Sequence, residues 1–303
     1  MTFQSTPLVQ GKEFVMGYRQ QNVWKQWIAL AFFFGKIGSG MFILSLFFGT
    51  PLVALAGIII ENVGKGGALL VHLGRPERFW RALSRPSTSW IARTVWAMGI
   101  FTVVAVVYLL IDQFMPSASA LLLVLKVISL LLAVVVAISD GFVMNDSSAI
   151  PIWNTPIIPF LFLLYTLLGG TSVFIFLLRL GWVTIPPAGI IAPLSDLGAL
   201  ETTLLLTNLA GVVIYLLSVI NTTGAARESL WLLIKGPYAK MFFSFVVIVG
   251  FLVTLVLTLF AESQGSIALV GLLMLADLIG HFFVFYLLLQ VGVYSPVMGK
   301  LTI

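Results

Sequence analysis

Eight long apolar runs dominate this chain, at roughly 23–48, 51–72, 92–114, 119–141, 157–180, 199–221, 239–261 and 266–292. A helix needs about 20 mostly apolar residues to cross the hydrocarbon core of a bilayer, so the runs predict about eight crossings with both chain ends on one side. They are apolar on every face and lack the alternation over about ten residues that marks a barrel strand, which predicts helices. A helix also closes its own backbone hydrogen bonds, as lipid requires. Charged residues make up 9% of the 303 residues, against about a quarter in soluble domains. The expected fold class is therefore an all-α polytopic membrane protein. The first run is long enough to remain as a span and no small-residue cleavage site follows a short apolar region, so no removable signal peptide is expected.

Basic residues divide unevenly between the two sides. Lys12, Arg19, Lys25, Arg75, Arg78, Arg81, Arg85, Arg93, Arg227, Lys235, Lys240 and Lys300 fall on the side of the termini, and only Arg179 falls near the other surface. The opposite connections carry Asp112, Asp196, Glu201 and Glu262. Lys and Arg concentrate on the cytoplasmic side of membrane proteins, which predicts cytoplasmic N- and C-termini. An even count also divides into two sets of four: residues 1–141 and 157–303 are each expected to form a four-helix bundle, joined by the connection 142–156. The segment 181–198, rich in Pro and Gly, is the longest connection on the far side and a candidate cap of that face.

Composition narrows the chemistry. The chain has no cysteine, so no thiolate zinc site and no iron–sulfur cluster is expected on it. His72 ends the second run while His281 lies about 16 Å inside the eighth, so the two histidines are not expected to clamp a haem between them. No metal is expected. The net charge of +5 comes from residues flanking spans, and nothing supports a nucleic-acid partner.

Ionisable side chains at membrane depth are costly enough to count as functional candidates. They are Lys36 in the first span, Glu61 and Lys65 in the second, Lys126 in the fourth, Asp140 at the fourth span's end, and Asp277 with His281 in the eighth. Glu61 and Lys65, like Asp277 and His281, are four apart and share a helix face, so each couple can pair. Such pairs either neutralise one another or handle protons, and His281 can change charge near neutral pH. Groups at several depths, with Lys36, Glu61 and Asp277 deepest, are what a proton relay requires. The same groups would serve a proton-coupled transporter, although no span is broken by Gly and Pro in matched positions of the two halves. A purely structural anchor is the third reading. Gly35, Gly38 and Gly40 most simply allow close helix packing.

Beyond the second run, Arg75, Arg78, Arg81 and Arg85 recur at spacings of three, three and four with Phe79, Trp80 and Leu83 among them. A short interfacial helix fits that pattern, and an anchor to anionic headgroups is its plainest use. His72 stands just before this stretch, on the surface the topology shares with Glu77 and Asp140. A proton donor and acceptor beside apolar helices suit a quinone, which has two carbonyl oxygens to hydrogen-bond and an isoprenoid tail.

The stretch His72-Leu-Gly-Arg-Pro-Glu-Arg-Phe-Trp80, followed by Ser89-Trp90, resembles the signature after the second helix of the NrfD family, which includes the membrane subunit of polysulfide reductase. Ile152-Trp-Asn-Thr-Pro156, followed by Pro159, Phe162 and Gly169, is similar to that family's approach to its fifth helix. The resemblance implies a quinone-binding subunit of a respiratory oxidoreductase in the inner (cytoplasmic) membrane of a bacterial or archaeal cell. Its quinone, menaquinone or ubiquinone, is a substrate, and its partners are a ferredoxin-like iron–sulfur subunit and a catalytic subunit, commonly a molybdopterin enzyme. His72 becomes the first quinone-site candidate, with Asp140, Asn22, Trp24 and Gln26 beside it. Arg75, Glu77, Arg78, Arg81, Trp153 and Asn154 are candidates for partner or loop contact, and Lys36, Glu61, Lys65, Lys126, Asp277 and His281 for a proton path. Some relatives carry a Tyr-Thr-Gly stretch at the end of the fourth helix where this chain reads Ser139-Asp140-Gly141, so a tyrosine contact to quinone does not carry over. Exported relatives also place the quinone end outside, whereas the charge count here places it inside.

Overall fold

The computed structural model describes residues 8–10, 13–15, 17–185, 194–264, 266–296 and 298–300. Among them are eight helices long and apolar enough to cross a membrane: Gln26–Phe48, Pro51–His72, Trp90–Phe114, Ser119–Asn145, Ile157–Arg179, Leu197–Val219, Ala239–Phe260 and Ile267–Gln290. They are called spans one to eight below, and the protein is an all-α polytopic membrane protein. Lys12 lies outside the described residues, as do the side chains of Asp196, Glu262 and Lys300 and the segment 186–193.

Local chemistry sets several boundaries. Span one stops at Gly49, which sits in the left-handed region at φ 62°, and Pro51 opens span two. Glycine takes that conformation without the Cβ penalty, and proline's fixed φ suits the first turn of a helix. Ser89 caps span three by accepting from the Ala92 amide at 3.3 Å. The Ser-Trp pair of the sequence signature thus begins a helix, and Trp90 then stacks on Phe142 of span four. Span four continues to Asn145, beyond the expected end at 141. An amphipathic helix over Gly224–Ile234, capped by Thr223, fills what hydropathy leaves as a connection between spans six and seven.

Two spans are not α-helical throughout. Span two is α over Pro51–Ile59, π over Ile60–Lys65 and α again over Gly66–His72. Span seven carries a π stretch over Phe242–Val253. Wider turns disturb the regular i→i−4 ladder, and in span two the Asn62 side chain donates to the Ile58 carbonyl at 2.8 Å. Asn62 also accepts from Thr102 of span three at 3.0 Å.

Span one lies at the centre, packed against spans two, four, five and eight. Small residues make this possible. A Cβ on Gly40 would fall 2.0 Å from the Thr166 carbonyl oxygen of span five, and one on Gly38 would fall 2.7 Å from the Glu61 amide nitrogen of span two. Without a hydrophobic drive between helices in lipid, such close backbone approach supplies the packing. Span five continues the seam against spans four, six and eight.

The two ends of the chain meet. The strand Arg19–Gln20 pairs antiparallel with Val293–Tyr294, and Glu13–Val15 pairs with Met298–Lys300. Buried Gln21 donates to the Leu289 carbonyl at 2.6 Å and accepts from the Trp24 amide at 2.9 Å. These short ribbons carry no hydropathy signal, yet they hold the start of span one against the end of span eight.

Candidate functional site

The deep charges assemble into two polar clusters, and only part of that assembly follows from helical spacing. In the first, Lys65 pairs with Glu61 at 3.2 Å, as four-residue spacing predicts. Lys65 also donates to Oδ2 of Asp140 at 2.9 Å, and Lys36 Nζ lies 2.9 Å from the same oxygen. Ser39 donates to Glu61 at 2.9 Å, and Lys36 donates to the Ala137 carbonyl at 2.5 Å. Two lysines and two carboxylates from spans one, two and four therefore form one buried network. Their charges balance, which is the condition for tolerating them in a low-dielectric interior.

The backbone is shaped around this network. The π turn of span two carries both Glu61 and Lys65; π segments recur at functional sites because they redirect side chains without ending the helix. Gly35 clears the space that Lys65 occupies, since a Cβ there would sit 2.9 Å from Lys65 Cδ. Lys36 extends over the Phe162 ring with its nitrogen 5.1 Å from the centroid.

Asp140 is consequently not an end-of-helix group. It lies five residues, or ~7.5 Å, before the last residue of span four, enclosed by the two lysines. His72 lies seven residues beyond Lys65 along span two, ~10 Å closer to the surface by helical rise. No hydrogen bond joins His72 to Asp140 among the described residues, and span two links them through Lys65. His72 is half-buried and makes no side-chain hydrogen bond among the described residues.

The second cluster is formed by spans five, six and eight. Asp277 and His281 are both buried but not hydrogen-bonded to each other. The His281 ring turns toward Tyr165, 4.5 Å between centroids, and rests against Gly169, where a Cβ would lie 2.7 Å from Cε1. A notch in span five thus receives the imidazole, while Asp277 faces Ser172 and Glu201. Glu201, expected in a far-side connection, is buried within span six instead. Lys126 joins neither cluster: it is half-buried, without an ion pair among the described residues, and lies ~21 Å along span four from Asp140 by helical rise.

The remaining candidates divide between surface and scaffold. Glu77, Arg78 and Arg81 are exposed on the 3-10 helix Pro76–Leu83, with Arg75 exposed just before it and Phe79 and Trp80 exposed on it. That is the short helix expected from the arginine spacing. Asn22 and Gln26 are exposed at the start of span one. Trp24 stacks on Trp153 at 5.3 Å, and buried Trp153 donates to the Leu288 carbonyl at 2.8 Å. Asn154 donates to the Asn145 carbonyl. Trp153 and Asn154 thus fasten their own loop to spans eight and four. Gln21, Tyr165 and Ser172 carry no signal in the sequence: they are ordinary polar residues whose importance comes from burial. An apolar cavity of about 50 Å³ lies among spans five to eight, lined in part by Tyr165, Tyr215 and Phe285. It is smaller than the roughly 150 Å³ that admits a benzene ring, so a quinone ring does not fit there.

Eight spans around two buried polar clusters, one of them charge-balanced, with a basic aromatic loop beyond the second span, define a polytopic membrane protein with a polar core. The family described as polysulphide reductase, NrfD, matches residues 15–296, and the chain belongs to that family. Its members are membrane subunits of respiratory oxidoreductases that work with iron–sulfur and catalytic subunits. Among curated proteins, none matches the chain.

Proposed function

We propose that this chain is the quinone-binding membrane subunit of a respiratory oxidoreductase, passing electrons between a partner's iron–sulfur cluster and a membrane quinone. The observation that carries the reading is the position of His72. It closes span two inside the family signature, half-buried and with no side-chain hydrogen bond among the described residues, with a buried charge network deeper along the same helix. A quinone ring held there has a hydrogen-bonding imidazole beside it and apolar helix surface for its tail. The quinone supplies the redox chemistry as substrate, and the protein supplies position and electrostatics.

The exposed Arg75, Glu77, Arg78 and Arg81 are proposed to receive the iron–sulfur subunit, which in turn contacts the catalytic subunit. Protons of the quinone reaction are proposed to use Lys65, Asp140, Glu61 and Lys36, and then His281 and Asp277. The charge bias toward the termini supports a bacterial or archaeal cytoplasmic membrane with this surface inside. Replacing His72 by Ala in the purified complex tests the assignment. Quinol turnover is expected to fall while the complex stays assembled, and unchanged turnover would overturn the His72 site.

A further inference from the structure

The second cluster contains more polar chemistry than a structural role requires. Span five contributes Tyr165 and Ser172, seven residues or two turns apart and so on one face. Span six adds Glu201, and span eight adds Asp277 and His281. All five are buried. The Tyr165 hydroxyl, Oδ2 of Asp277 and both ring nitrogens of His281 have no hydrogen-bond partner among the described residues. Each buried polar group left without a partner costs about 1–3 kcal/mol. Several in one place match the setting in which internal water is held, because each water takes two to four polar partners.

Position gives the cluster a direction. Asp277 lies ten residues, or ~15 Å, from the start of span eight at the face opposite the termini, and Glu201 seven residues, or ~10 Å, from Leu194 at the start of its helix at that same face. The Lys36–Asp140–Lys65–Glu61 network occupies the half nearer the termini. Lys36, ten residues into span one, is followed by Ile37, whose side chain borders the Gly169 notch that receives His281. Asp277 has no ion pair among the described residues, and it faces a second carboxyl group, Glu201. Span seven meets span eight through Gly250 against Gly280, and its stretch Phe242–Val253 contains no ionisable residue.

We propose that Tyr165, Ser172, Glu201, Asp277 and His281 form a hydrated proton-holding site that exchanges protons with Lys36 and opens through Glu201 toward the face opposite the termini. The site deepens the proton-handling part of the proposed function and rests on it for its source of energy, the quinone reaction. An N–H bond of the Lys36 ammonium breaks to a bound water, which in turn gives up a proton as an N–H bond forms on His281. That proton passes to the Asp277 and Glu201 carboxyl groups through bound water and leaves from Glu201. Lys36 is reprotonated from the Asp140 and Lys65 side, so no electron moves within the cluster. Ser172 and Tyr165 position the water between the two acids and the imidazole.

Two measurements decide the matter. In the whole complex reconstituted into liposomes, Glu201→Gln and Ser172→Ala are each expected to retain uncoupled quinol turnover while losing proton release on the far side. Release at the wild-type ratio in both variants would overturn the site. Infrared spectroscopy of the purified protein, with exchange into heavy water, is expected to show a buried carboxylic acid band that Asp277→Asn or Glu201→Gln removes. Absence of any such band would overturn proton holding. This second readout needs no turnover: a complex inactive with quinol would defeat the proposed function, and the infrared band would still decide this inference.

Discussion

Asp140 offers one carboxylate oxygen to two ammonium groups, both at 2.9 Å. Removing its charge leaves Lys36 and Lys65 with Glu61 alone, a net positive charge in the membrane interior. Breaking a buried pair by deleting one partner costs about 3–5 kcal/mol, most of it the penalty of the stranded charge. Asp140→Asn is therefore expected to lower thermal stability sharply in detergent. The double change Lys36→Met with Asp140→Leu leaves the neutral Glu61–Lys65 pair, and should melt well above the single variant. A single variant as stable as the wild type would show that the network carries no such penalty. Only part of this network is legible in the sequence. Glu61 with Lys65 is legible because one helix sets their spacing. Asp140 with Lys36 is not, because their meeting depends on how two helices separated by a hundred residues rotate against each other.

The π segment of span two is the element on which the proposed site turns. It packs on span one at Gly35 and Gly38 and leads into the final helical turns that present His72. Deleting Val63, an exposed position in the π stretch, should restore an ordinary α-helix. Everything beyond it would then rotate by about 100° and shift by about 1.5 Å relative to span one. His72 would leave the face it now occupies, and quinol turnover should drop about 100-fold, the scale expected for misplacement near a reacting group. Turnover at the wild-type level, with the complex assembled, would mean that the orientation of His72 is immaterial. The segment was invisible in the sequence because spans of nearly uniform apolarity carry no periodic stripe from which a change of helical pitch could be read. The helix Gly224–Ile234 escaped for a related reason: it is short, and its apolar face is defined only by the spans it covers.

At the scale of the molecule, the distribution of Lys and Arg predicts that the surface of the termini faces the cytoplasm. The absence of cysteine gives a direct test, since any introduced thiol is the only one in the chain. Ser148, exposed in the connection between spans four and five, and Ser117, exposed in that between spans three and four, lie on opposite sides. In intact cells a membrane-impermeant thiol reagent is expected to label Ser117→Cys and to spare Ser148→Cys until the cytoplasmic side is opened. The reverse pattern would overturn the orientation drawn from Lys and Arg, and with it the cytoplasmic position of the proposed donor subunit.

The amino-acid sequence by itself determined the helical class, the eight crossings and the identity of the residues that pay to lie in the membrane. Each of these depends on local run length and composition, measured against a bilayer of fixed thickness. The clustering of those residues was decided by tertiary structure. Gly35 and Gly38 bring span two close to span one, Gly40 meets span five, and Gly169 turns His281 away from Asp277. In lipid, helix rotation and depth follow from such close contacts rather than from an apolar stripe. That is why Asp140 looked like a boundary residue in the sequence and stands at the centre of a charge network in the fold.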